Sequence, residues 1–181
     1  MPITIANGRI EQDKDSVGGL RAMYLINYQI APTDITYDGT NTDVIDTITN
    51  VDFLYKFDLR GENSWEQDIV TDPSAGTTFY KQKLAIRLKK HDAATSKNLK
   101  LLAYSRPHIV IQDNNGRFFI MGLTNGVDVT GGSIAQGAKM GDFSGYSLTL
   151  EADEKCYANH LDAATEAAMV TMFTSASLVT S

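Results

Sequence analysis

Alternation of apolar and polar residues with a period of two dominates the chain. It is clearest from Val51 to Arg60, where Val51, Phe53, Tyr55, Phe57 and Leu59 fall on one parity and Asp52, Leu54, Lys56, Asp58 and Arg60 on the other. An extended backbone sends successive side chains to opposite faces, so the pattern predicts a strand with an aromatic face turned inward and a mostly charged face turned to water. Gly61-Glu62-Asn63 supplies a turn, and Trp65 to Asp72 returns with Glu66, Asp68 and Asp72 on one parity, interrupted by Val70. The two runs read as a hairpin. After Asp72-Pro73-Ser74-Ala75-Gly76 the alternation resumes from Thr77 to Leu88, with Tyr80, Leu84, Ile86 and Leu88 against Lys81, Lys83 and Arg87. A three-stranded meander is expected.

The period changes at His91. Asp92 is a helix-capping residue, Ala93, Ala94, Lys97, Leu99, Lys100, Leu101 and Leu102 are good helix formers, and Arg106-Pro107 closes the segment, predicting one short helix. His108 to Asp113 and Arg117 to Met121 flank Asn114-Asn115-Gly116, a turn whose residues tolerate the positive φ of tight hairpins. Val127 to Thr130 and Tyr146 to Glu151 predict two more strands joined by the Gly-rich segment Gly131 to Gly145, and Ala163 to Phe173 has helical composition ahead of a frayed Thr174 to Ser181. Near the start, Gly18-Gly19 opens a strand from Leu20 to Ile30. Ala31 to Asn50, rich in Thr, Asp and Asn, reads as a long polar loop, a length that implies a function or an ordering partner. The expected fold is therefore mainly β: one domain over residues 1–181, an antiparallel β-sandwich or barrel flanked by one short α-helix, with the polar loop 31–50 and a C-terminal extension 156–181.

Composition narrows the function. With 181 residues, 43% of them hydrophobic, the chain can bury a true core. A net charge of −6 argues against a surface built to hold nucleic acid, because such binding draws on clustered Lys and Arg, while transient passage of DNA along an acidic wall remains compatible. Cys156 is alone, so neither an intrachain disulfide nor a two-cysteine metal site is expected. The N-terminal residues lack the basic-then-apolar pattern of a signal peptide and no apolar run reaches about 18 residues, so no membrane association is expected.

Candidate chemistry is sparse. Gly131 to Lys139 carries a basic residue after glycines, but a phosphate loop leads into a helix and this one leads into strand-like residues; Gly141-Asp142-Phe143-Ser144-Gly145 has the same context. His91, His108 and His160 sit in no metal or catalytic spacing, and His160 reads as exposed. Asp52, Asp58, Glu66 and Asp68 fit the wet face of a sheet better than an acid/base pair. Phe118 and Phe119 point to opposite faces, which favours core packing over a stacking platform. No catalytic residue, cofactor or metal is assigned.

Four ordered stretches, Asp13 to Leu20, Gln112 to Phe119, Gly122 to Gly132 and Gly141 to Glu151, resemble structural proteins of tailed bacteriophages, most closely tail tube proteins. The resemblance spans residues 13 to about 155 and leaves out the 31–50 loop and the C-terminus. It implies a virion protein, made in the host cytoplasm, whose six copies close into a ring. Rings would stack into the conduit for DNA ejection, one sheet of each subunit joining a continuous inner β-barrel, with other tail proteins as partners. On that reading Asp52, Asp58, Glu66, Asp68 and Asp72 are candidate lumen-facing residues, forming an acidic lining unless Lys81, Lys83 and Arg87 pair with them. Asp34, Tyr37, Asp142 and Phe143 are candidate inter-subunit residues. A head-tail connector, tail terminator or neck ring protein would share the small β-fold, and a ligand-binding β-barrel would need an apolar cavity that the charged parity opposes.

Overall fold

The computed structural model describes residues 8–174 and 176–180. It is a two-sheet β-sandwich with two short helices. The larger sheet has eight strands in the order β12-β4-β1-β7-β8-β11-β3-β2. In chain order these are β1 (Leu20–Ile26), β2 (Ile35–Tyr37), β3 (Val44–Ile48), β4 (Phe53–Asp58), β7 (His108–Asp113), β8 (Phe118–Met121), β11 (Asn159–Leu161) and β12 (Ser177–Val179). The smaller sheet has order β5-β6-β10-β9, from β5 (Ser64–Asp72), β6 (Thr77–Lys89), β9 (Asp128–Gln136) and β10 (Ser144–Glu154). It is two long hairpins laid side by side, and all of its pairings are antiparallel. The larger sheet includes two parallel pairings, β11 with β3 and β12 with β4.

Alternation along the central strands feeds two cores. Met23, Ile109, Ile111 and Met121 of the large sheet meet Leu84, Ile86, Leu150 and Ala152 of the small one, and Leu102 of helix α1 (Ala93–Leu102) closes the side of this inner core. The intervening residues Ala22, Tyr24, Val110, Phe118 and Ile120 point the other way, onto Met169, Met172 and Phe173 in and beside helix α2 (Glu166–Met172). The C-terminal segment ties the two flanks of the large sheet together: the Thr174 N–H donates to the Ile48 carbonyl at 3.0 Å and the Ser177 N–H to Asp52 at 2.9 Å.

Several expectations need correction. The run Val51–Arg60 does not form a hairpin with Trp65–Asp72. β4 pairs with β1 and β12 in the large sheet, whereas β5 pairs with β6 in the small one. Gly61, at φ 101°, turns the chain between sheets, and Asn63 fastens the crossing by accepting the Arg87 N–H at 2.8 Å. Neither parity of β4 keeps to one environment: on the charged one Leu54 is fully buried in the outer core and Lys56 half-buried while Asp52, Asp58 and Arg60 stay exposed, and on the aromatic one Phe53 is 46% exposed. Lys56 Nζ donates to both Glu166 carboxylate oxygens, at 2.9 and 2.8 Å. Tyr55 and Phe57 do face α1, but only half-buried.

The 31–50 segment is folded. The Asp34 carboxylate accepts the Ala31 N–H at 2.9 Å across a 3-10 turn, Asp38 accepts the N–H groups of Thr40 and Asn41, and β2 and β3 pair with Ile45 and Ile48 fully buried. The glycines at 131 and 132 lie inside β9, and at 132 the strand passes so close to β10 that a Cβ would stand 2.8 Å from Leu148 Cδ2. Helix α2 falls inside the Ala163–Phe173 stretch of helical composition and makes two helices where one was expected, and residues 177–179 of the supposedly frayed tail form β12.

Candidate functional site

The small sheet covers the inner core with one face and leaves the other bare. Register sorts its residues: Trp65, Leu84, Ile86, Leu148 and Leu150 point inward, while Glu66, Asp68 and Asp72 of β5, Lys81, Lys83, Arg87 and Lys89 of β6 and Ser147, Thr149, Glu151 and Asp153 of β10 share the outer face. Asp128, Gly131, Ser133 and Ala135 of β9 complete it. The centre of this face is small and hydroxylic, its charges lie in cross-strand rows, and Val70 and Phe79 pair near the β5–β6 turn.

The charges are interleaved. Glu66 lies opposite Lys83, 3.5 Å away, and Asp68 opposite Lys81, but the Lys81 ammonium turns to Glu151 at 3.0 Å. The Glu151 hydrogen bond and charge raise the Lys81 pKa. Arg87 reaches Glu62 at 2.8 Å and Arg106 reaches Asp128 at 3.1 Å. Exposed pairs of this kind are each worth only about 0.2–1 kcal/mol, so they set the texture of the surface more than the stability of the fold. Glu151, Asp153 and Asp128 were missed as members of this face; the alternation Tyr146-Leu148-Leu150 against Ser147-Thr149-Glu151 carries the signal for the first two.

The edge strands of the small sheet are β5 and β9, each nine residues long, and among the described residues no strand pairs with the open edge of either. Its two hairpin turns lie at opposite ends. At the β5–β6 end, Asp72 Oδ1 accepts the Ser74 N–H and hydroxyl at 2.9 and 2.6 Å, which lowers its pKa. At the β9–β10 end, Asp142 Oδ2 accepts the N–H groups of Ala138 and Lys139 at 3.0 and 2.8 Å. Phe143 lies under the Arg87 guanidinium, 4.5 Å from its ring centre. Gly145 then crosses Leu88 so closely that a Cβ would stand 2.1 Å from its carbonyl oxygen. The stretch that resembled a phosphate loop is a tightly bonded hairpin turn.

The remaining candidates are scattered. Asp52 and Asp58 belong to the large sheet, so the five proposed lumen carboxylates do not share one surface; Asp58 lies 3.6 Å from Lys56 beside α2. Asp34 is spent on its 3-10 turn, and Tyr37, 41% exposed, sits on the edge strand β2. Phe118 is core, as expected, while Phe119 points the other way, wedged between Trp65 and the His160 ring. His108 is fully buried: its Nδ1–H donates to the Gly122 carbonyl at 2.7 Å, Nε2 accepts the Ile30 N–H at 3.4 Å, and burial lowers its pKa. His91 bonds the Ala135 carbonyl, and Cys156 is exposed with its thiol pKa raised by partial desolvation. Among the described residues, no three His, Cys, Asp or Glu side chains are grouped to hold a metal ion, and no helix is long and apolar enough to cross a membrane. Compared with protein-family models, with curated proteins and with solved structures, the chain matches none.

Proposed function

We propose that the protein is the subunit of a phage tail tube, assembling as stacked hexameric rings through which DNA leaves the particle. One observation carries the reading: the small sheet combines a bare outer face with two edge strands of equal length. Long open edges invite pairing with another chain unless something covers them. In the order β5-β6-β10-β9 successive strands alternate in direction, so β9 of one copy and β5 of the next meet antiparallel, and the same contact repeated by rotation closes a ring. The outer faces would then line the bore.

That lining differs from a purely acidic wall. Carboxylates outnumber cations on the face, but Lys81, Lys83 and Arg87 are interleaved with them. Such a surface offers DNA no continuous row of free cations, so little counterion release rewards binding and the duplex slides without being held. Electron microscopy of the purified protein at rising concentration tests the reading. Tubes of stacked rings are expected; single rings that never stack would indicate a connector, terminator or neck ring, and a chain that stays monomeric would refute assembly altogether.

A further inference from the structure

Away from the small sheet, a polar cleft of about 710 Å³ opens on the outer side of the large sheet beside the start of α2, lined among others by Arg21, Lys56, Asp58, Arg60, Gln112 and Glu166. Lys56 is already committed to Glu166 and Asp58. Arg21 and Arg60 are not: among the described residues neither guanidinium has an ion-pair partner, and both line the cleft, Arg60 following Leu59, whose N–H donates to the Arg21 carbonyl at 2.9 Å. A guanidinium presents a planar fork of donors that matches a carboxylate. The Asp58 and Glu166 carboxylates of the cleft hold Lys56, which leaves its two guanidiniums without an acid of their own.

The chain carries such groups on the segment that leaves from the rim of this cleft. Asn115 grips Val17 through both amide atoms, Oδ1 accepting its N–H at 2.9 Å and Nδ2 donating to its carbonyl at 2.8 Å, and Asn114 Nδ2 donates to the Gly18 carbonyl at 2.8 Å. Residues 8–16 beyond this clamp are exposed throughout, form no helix or strand, and among the described residues make one side-chain hydrogen bond, from Gln12 to the Ile10 carbonyl. In extended form Glu11, Asp13 and Asp15 share one parity, about 6.6–6.8 Å apart. Nine extended residues reach about 30 Å, far enough to leave their own subunit.

We propose that this N-terminal arm is exchanged between copies, the carboxylates of residues 11–15 seating on Arg21 and Arg60 in the cleft of a neighbour. The clamp at Val17 and Gly18 fixes the exit of the arm, whose residues 8–16 are all exposed. The exchange needs a second copy but not a ring, so it stands or falls separately from the tube. A photoreactive benzophenone residue placed at position 12 of the full chain, in a mixture of ¹⁴N- and ¹⁵N-labelled protein, tests it by mass spectrometry of the cross-linked peptides. Mixed-isotope links to residues 20–22, 56–60 or 112–116 are expected. Arg21→Glu with Arg60→Glu should lower their yield roughly two- to thirtyfold, the range that two exposed ion pairs span. Pairing that chain with an E11K/D13K/D15K chain should restore it, which separates lost attraction from misfolding. Same-isotope links alone would show the arm folding back onto its own cleft; links elsewhere, no links, or a yield indifferent to the charge reversals would equally overturn the exchange.

Discussion

Truncating Leu54 should cost far more than truncating its aromatic neighbour Phe53. Leu54 is 0% exposed and packs in the outer core with Met169, Met172 and Phe173, whereas Phe53 keeps 46% of its surface in water. Leu→Ala in a closed core loses the transfer energy of the removed carbons and leaves a cavity, so Leu54→Ala should cost about 3–4 kcal/mol. Phe53→Ala forfeits roughly half of a phenylalanine's burial with no enclosed void, about 1 kcal/mol. Half-buried Phe57 should fall between them. Urea unfolding of the dilute, unassembled chain reads the difference: with a slope of about 2 kcal/mol per molar, the midpoint should fall by about 1.5–2 M for Leu54→Ala and about 0.5 M for Phe53→Ala at unchanged slope. Equal losses, or the larger loss for Phe53, would show that the aromatic parity of β4 faces the core and that its placement between two cores is wrong.

Gly145→Ala should destabilise the chain by at least about 2 kcal/mol, because the added carbon meets the Leu88 carbonyl inside the β6–β10 ladder; a shift in the urea midpoint below about 0.5 M would refute the close crossing. His108 is held neutral, its folded pKa below the ordinary value of 6.5. Above about 6.5 it is neutral in both states and its contribution is complete; as the pH falls through that value the unfolded chain takes up the proton first and stability declines. Proton NMR of the His108 ring should show it still neutral where free histidine is protonated, and titration at or above 6.5 would contradict the burial. Reversing Glu66 and Asp68 to Lys removes the partner of Lys83 and sets two further cations opposite Lys81 and Lys83 of β6, so particles with intact tubes should eject DNA more slowly; unchanged ejection, or a defect only in ring closure, would take that face off the channel wall.

Where a signal is local, the sequence reading succeeds. Asp92 caps α1 by accepting the Thr95 N–H at 3.0 Å, and the Asn-Gly turn joins β7 to β8 as its residue types imply. Period two identifies β4, β5 and β6 as strands but says nothing about which sheet each joins, and the one-residue freedom of Gly61 sends β5 away from β4. That single crossing dispersed the five carboxylates expected on one wall. The 31–50 hairpin was hidden because its turns are held by Asp34, Asp38 and Asn41 side chains, whose composition is that of a loop. β12 was hidden for another reason: its pairing with β4 is parallel and joins residues more than a hundred positions apart, which no local pattern records.

A reconstruction of the assembled particle, at a resolution that separates strands, tests the tube most directly. It should show the small sheets of neighbouring subunits joined β9 to β5 around the bore, with Glu66, Lys83, Thr149 and Glu151 facing the channel and α2 on the far side of the large sheet. A bore lined by the large sheet or by either helix, or neighbours joined through other edges while β5 and β9 stay unpaired, would contradict it.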